Sequence, residues 1–141
     1  MLTRLLWGLG LMALSVTIHA GGVTAALRRL RRRPEPAPGF WRVTWLFIVV
    51  AAWVILLHLM EIWAWAVLYV WKGAMSDLVS AFYFSMVTYT TTGYGDLVLP
   101  QEWRLLGGIE ALTGILMAGW STGFFFAIVA RLYQPQAAKT S

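Results

Sequence analysis

Three apolar runs, Leu5 to Leu27, Val43 to Trp71 and Leu105 to Ala130, constrain this chain more than anything else in it. Each exceeds the roughly 20 residues that a helix needs to cross the hydrocarbon core of a bilayer. A fourth run, Leu78 to Thr90, is about 13 residues, too short to span. It reads as a re-entrant helix, with Ser76 and Asp77 placed to cap its start. The backbone that follows it is tolerable at membrane depth only if it is buried in protein or lines a water-filled path. The expected fold is an all-α membrane protein with three transmembrane helices and one half-crossing. Its units are a first helix over 1–27, a basic, proline-containing linker over 28–42, a second unit over 43–132 and a tail over 133–141. Inside the second unit we expect a helix over 43–71, a half-helix over 78–90, a loop over 91–96 and a last helix over 104–131.

Composition agrees. The chain is 60% hydrophobic and 12% charged, against roughly half and a quarter in soluble domains. It has no cysteine, which excludes a disulfide framework, a Cys-based zinc site and thiol chemistry. Its net charge of +5 could suggest nucleic acid, but that charge is concentrated beside one membrane-bounded linker. Arg28, Arg29, Arg31, Arg32, Arg33, Arg42, Arg131 and Lys139 fall on one side of the predicted membrane, and Arg4, Lys72 and Arg104 on the other. By the positive-inside rule the first set is cytoplasmic, in a cell or inner membrane, with the N-terminus outside and the C-terminus inside. Trp41, Trp45 and Tyr133 mark the inner interface, and Trp7, Trp71 and Trp103 the outer one. A cleaved leader over Met1 to Ala20 is the competing reading. It would put the arginines outside, so the retained helix is preferred.

Between the half-helix and the last spanning run stand Thr91-Thr92-Gly93-Tyr94-Gly95-Asp96. Two glycines around a tyrosine let the chain turn successive carbonyls to one side, which needs φ values most residues resist. With its flanking helices, this segment resembles the pore loop of tetrameric potassium channels, whose TVGYG carbonyls replace the hydration shell of K+. The likeness extends over Val43 to Leu132 and implies an outer helix, a pore helix, a filter and an inner helix in that order. It implies K+ sites at the backbone carbonyls of Thr91, Thr92, Gly93 and Tyr94, aided by the Thr91 hydroxyl. It also implies a homotetramer, since one loop per chain cannot close a ring. No cofactor is implied beyond K+ as the permeant ion. Asp96 is the carboxylate behind the outer mouth, or else an ordinary turn aspartate. Two departures stand out: Thr92 replaces the usual Val or Ile, and Val87 stands where an acid often backs the filter. Tyr83 and Phe84 occupy the positions of the aromatic cuff that usually holds the filter tyrosine.

Gly114 falls where similar inner helices carry a hinge glycine, and Gly119 with Gly123 forms a small-xxx-small pair; hinge and packing roles are both open. Ile115, Ala118, Thr122 and Phe126 share a helix face. Facing the axis, they would line the cavity, with Phe126 a hydrophobic constriction; at least two of Phe124, Phe125 and Phe126 are expected to meet lipid. Glu61 and Glu110 are carboxylates inside membrane runs, which are costly and by default functional. Either is expected to support the filter in place of the missing acid. For Glu61 the competing reading is a group reaching water, since Trp63 and Trp65 stand close by. His19 and His58 titrate near neutrality, yet no metal-ligand set surrounds either in sequence. The arginine run is contiguous and expected outside the helix, unlike a voltage sensor. It is a topology determinant and a site for anionic lipid headgroups at Arg28, Arg29, Arg31, Arg32 and Arg33.

The chain therefore reads as a potassium-selective channel. The alternatives are a weakly selective monovalent cation channel and a non-conducting membrane adaptor subunit. No nucleophile-base pair or phosphate loop points to an enzyme.

Overall fold

The computed structural model describes residues 2–31 and 39–132, apart from the side chains of Arg31 and Arg131. The protein is an all-α membrane protein. Helices α1 (Leu2–Arg31), α2 (Phe40–Trp71) and α4 (Arg104–Leu132) are long and apolar enough to cross a bilayer. Helix α3 (Leu78–Tyr89) has 12 residues, about 18 Å of rise, and reaches only partway. A turn of 3-10 helix over Gln101–Trp103 leads into α4.

Local chemistry explains the turns. Helix α2 ends at Trp71, with Lys72 as its C-cap, because Gly73 takes φ +68°. Its amide then donates to the Val70 carbonyl at 3.0 Å, and Ala74 donates to Tyr69 at 2.8 Å, the double bond of a Schellman cap. Four residues later Asp77 caps α3, its carboxylate accepting from the Ser80 amide at 2.8 Å.

Helix α1 runs further than the basic linker expected over 28–42 allows. The backbones of Arg28, Arg29 and Arg31 lie in it, so the start of the arginine run is helical rather than outside a helix. The physical reason is that Ala, Leu and Arg are all strong helix formers and no breaker occurs before Pro34. Helix α2 likewise begins at Phe40, directly after Gly39. Arg32, Arg33, the prolines between 34 and 38, Tyr133 and Lys139 lie outside the described residues.

Helix α3 is clasped between α2 and α4, while α1 lies along α2 and α4. One apolar core, including Trp65, Tyr69, Phe84, Tyr89 and Met117, joins α2, α3 and α4. A second, of Val50, Val54, Phe124 and Ile128, closes the other end of α2 and α4. Phe124 is therefore core, not lipid-facing; its neighbour Phe126 is 73% exposed and Phe125 half-buried. Glycines set the closest approaches. A Cβ on Gly8 of α1 would stand 2.8 Å from Ile109 Cδ1 of α4, and one on Gly22 would press into Leu57 of α2. At the opposite end from the second core, Lys72 stacks between Trp7 and Trp71, at 4.2 and 3.6 Å from their rings. Arg4 lies 4.8 Å over Trp103 and donates to the Glu102 carbonyl at 2.9 Å. The three tryptophans placed at one interface thus share one end of the bundle.

The tightest approach is at Gly114, where a Cβ would collide with the Tyr89 carbonyl, 2.8 Å from its carbon. Because the obstacle is backbone, no side-chain rotation relieves it. Gly114→Ala should cost about 1–3 kcal/mol, read as a lower thermal unfolding midpoint in detergent. Gly10→Ala, inside α1 with nothing within 4 Å of its Cβ, should not lower the midpoint and by helix propensity should raise it slightly.

Candidate functional site

The segment after α3 has an unusual backbone. Thr91, Gly93 and Gly95 have φ of +59°, +58° and +77°, with Thr92 and Tyr94 on the ordinary negative side. A positive φ is easy for glycine and costly for threonine. Thr91 is held there by its neighbours: its amide donates to Thr88 at 2.9 Å, and the Gly93 amide reaches back to Val87 at 3.2 Å. The Thr92 hydroxyl lies 2.9 Å from that of Thr90, which donates to the Met86 carbonyl at 2.7 Å. The odd letter of the motif is thus tied to the end of α3. In a single chain residues 90–98 are exposed, with Tyr94 at 72%.

Of the two cuff positions, Tyr83 donates to Asp96 Oδ2 at 2.8 Å, bridging the middle of α3 to the far end of the loop. Phe84 turns the other way, its ring edge-on to Tyr69 of α2 at 5.5 Å. The Leu97 amide adds a bond to Asp96 Oδ1 at 3.0 Å. The Tyr83 hydroxyl, then the amide, holds the exposed Asp96 carboxyl below its usual range.

Ile115, Ala118, Thr122 and Phe126 form one exposed face of α4. Gly119 and Gly123 lie on its open side with nothing within 4 Å. The opposite face, through Glu110, Thr113, Gly114, Met117 and Ser121, is buried.

Both membrane carboxylates are fully buried, so neither reaches water. Glu110 Oε2 accepts from the Tyr69 hydroxyl at 2.7 Å, linking α4 to α2. Glu110 Oε1 and Ser85 Oγ of α3, both buried, have no partner among the described residues. Glu61 lies elsewhere, at the meeting point of all four helices. It accepts from the hydroxyl of Tyr89, the last residue of α3. His19 Nδ1 of α1 stands 3.0 Å from Glu61 Oε1, and His58 Nδ1 stands 3.7 Å from Oε2 and 3.2 Å from the Tyr89 oxygen. Ser121 of α4 lies 3.0 Å from His58 Nε2 and 3.2 Å from His19 Nε2. The two histidines therefore do have ligand-bearing neighbours: one ligand atom each from His19, His58 and Glu61 falls within 4.8 Å of the others.

The sequence marks Glu61, one turn after His58 and on its helix face, and marks His19 alone, but gives no prominence to Tyr89, Tyr69 or Ser121. A usable signal existed, since isolated polar residues near the middle of different spanning helices tend to satisfy one another.

Three spanning helices, with a half-helix clasped between two of them and a glycine-bearing loop following it, define the class of pore-loop membrane proteins. A sequence profile described as "Ion channel" matches residues 43–131, well over half of the chain, and the protein belongs to this two-helix, pore-type ion channel family. No curated protein and no solved structure matches the chain.

Since a carboxyl with a lowered pKa gives up its stabilising bond only when protonated, the Tyr83–Asp96 contact holds above the carboxylate range and is lost on acidification below it. Tyr83→Phe should raise the Asp96 pKa toward its ordinary value. A carboxyl carbon NMR titration of the protein in micelles reads the shift directly.

Proposed function

We propose that the protein is a homotetrameric, potassium-selective channel that conducts K+ passively through the carbonyls of Thr91, Thr92, Gly93 and Tyr94. The observation that carries this is the backbone of residues 91–95, where positive φ recurs at every second residue directly after a capped half-helix. Such alternation is what allows successive carbonyls to face one axis and stand in for ion hydration. Family membership supports the pore, and the exposure of residues 90–98 in one chain fits a loop completed by three neighbours. In this reading α2, α3 and α4 are the outer, pore and inner helices. Ile115, Ala118, Thr122 and Phe126 face the cavity, and Gly119 and Gly123 lie where another subunit can approach. Gly114 is a packing residue against α3 before it is a hinge. The bundle end bearing Arg4, Trp7, Lys72 and Trp103 is outside, and the basic end, with anionic headgroups at the arginines, is cytoplasmic.

Filter support falls to Asp96 through Tyr83, to Glu61 through Tyr89, and to Glu110 through Tyr69 and Phe84. Together they replace the acid absent at Val87. A second reading, a weakly selective cation channel, is favoured by one observation: the Thr92 hydroxyl bonds Thr90, where Val or Ile would pack on apolar neighbours.

Reconstituted in liposomes, the protein should pass K+, pass Na+ far more slowly, and be blocked by Ba2+. Equal K+ and Na+ flux would favour the second reading, and no flux under voltage, pH or tension would favour a non-conducting adaptor. Tyr89→Phe removes a hydrogen bond to a buried carboxylate, worth about 1.5–3 kcal/mol. Loss of current during sustained opening should accelerate roughly tenfold or more; unchanged kinetics would remove Glu61 from the support.

A further inference from the structure

The hydroxyl of Ser121 decides how the protons of the buried cluster are arranged. It has one proton and donates it to the Met117 carbonyl at 3.0 Å, one turn earlier on α4. Toward the two imidazoles it can then only accept, so Nε2 of His19 and Nε2 of His58 both carry hydrogen. In neutral imidazoles this leaves both Nδ1 atoms as bare lone pairs: His19 Nδ1 faces Glu61 Oε1 at 3.0 Å, and His58 Nδ1 faces the Tyr89 oxygen at 3.2 Å with Glu61 Oε2 at 3.7 Å. Tyr89 has a single proton too, and gives it to Glu61. Two nitrogen lone pairs and a carboxylate thus converge in a site where His19 and Glu61 are fully buried, an arrangement that calls for a positive charge between them, either a proton on an imidazole or a metal ion.

We propose that His19 Nδ1, His58 Nδ1 and a Glu61 carboxylate oxygen bind a divalent transition-metal ion of the zinc class. The spacing suits it. Ligand atoms around a tetrahedral ion with bonds of about 2.0–2.2 Å stand roughly 3.3 Å apart. His19 Nδ1 stands 3.0 Å from Glu61 Oε1 and His58 Nδ1 3.7 Å from the other oxygen, Oε2, and one ligand atom from each of the three residues lies within 4.8 Å of the others, so small side-chain rotations bring them to that spacing. Ser121 plays the part usual around metal-bound histidine, accepting the far ring N–H and fixing which nitrogen faces the metal. Two imidazoles and one carboxylate suit Zn2+ or Co2+ and are a poor set for Mg2+ or Ca2+, which prefer all-oxygen surroundings. The fourth position falls to a water or to the Tyr89 oxygen, 3.2 Å from His58 Nδ1. His58 is the open side of the site, its side chain 19% exposed. The ion would clamp α1 onto α2 beside the last residue of α3, a placement that concerns conduction only under the reading above; binding is measured without it.

The test is Co2+ and Zn2+ titration of the full-length, chelator-treated protein in detergent. The expected result is one ion per chain, with the visible absorption of tetrahedral Co2+ displaced by Zn2+ and a thermal midpoint raised by either metal. His19→Gln and His58→Gln, which keep bulk and polarity, should abolish the Co2+ spectrum in protein that still elutes as the assembled species. Ser121→Ala, which touches no metal, should weaken binding about 10–100-fold without abolishing it. A wild-type protein that takes up no stoichiometric ion, or a Co2+ spectrum that survives both histidine substitutions, overturns the proposal. In the first case the cluster holds protons only.

Discussion

A fully buried carboxylate in the middle of a membrane helix forces the arrangement around it. Glu61 cannot be left unpaired in hydrocarbon, where each unsatisfied polar group costs several kcal/mol by general estimates of about that size. The groups that meet it come from elsewhere in the bundle: Tyr89 of α3 donates to it, and His19 of α1 stands 3.0 Å away, with Ser121 of α4 joined through the imidazoles. The rotation of each helix about its own axis is thereby set at one point. Apolar packing alone sets it weakly, because lipid tails are as good a neighbour for leucine as another leucine. Gly8, Gly22 and Gly114 then let the backbones close to the distances those polar bonds need.

The same economy governs the loop. Non-helical backbone within a membrane must find its hydrogen bonds inside protein or in a water-filled path. Here the amides of Thr91 and Gly93 return to the end of α3, and Asp96 is tied to Tyr83. A short helix, capped at one end by Asp77 and joined at the other to a buried carboxylate through Tyr89, fixes where the loop begins, and the Tyr83–Asp96 bond fixes where it ends. The proposed conduction pathway thus depends on residues that no permeating ion would touch.

Much of this was legible in the sequence, and for physical reasons. Crossing length and apolarity reveal spanning helices, and the half-helix stands out because 12 or 13 residues cannot span. Asp77 is visible as a cap, and Gly93-Tyr94-Gly95 as backbone needing unusual φ. Which faces meet was not legible. Helices that are apolar all round carry no stripe to fix their rotation, so His19 and Ser121, 102 residues apart, give no sign of meeting. Phe124 and Phe126 look alike in sequence, yet one is core and the other exposed. Nor does an arginine run announce that its first members remain helical; only the missing breaker before Pro34 hints at it.

The central claim, that residues 91–95 select K+ by replacing its hydration, is tested most directly by a reversal potential. With K+ on one side of a planar bilayer and Na+ on the other, current through the reconstituted protein should reverse far from zero, on the side set by K+ permeability. Reversal near zero would mean that both ions pass alike, contradicting the account of the loop as a potassium filter.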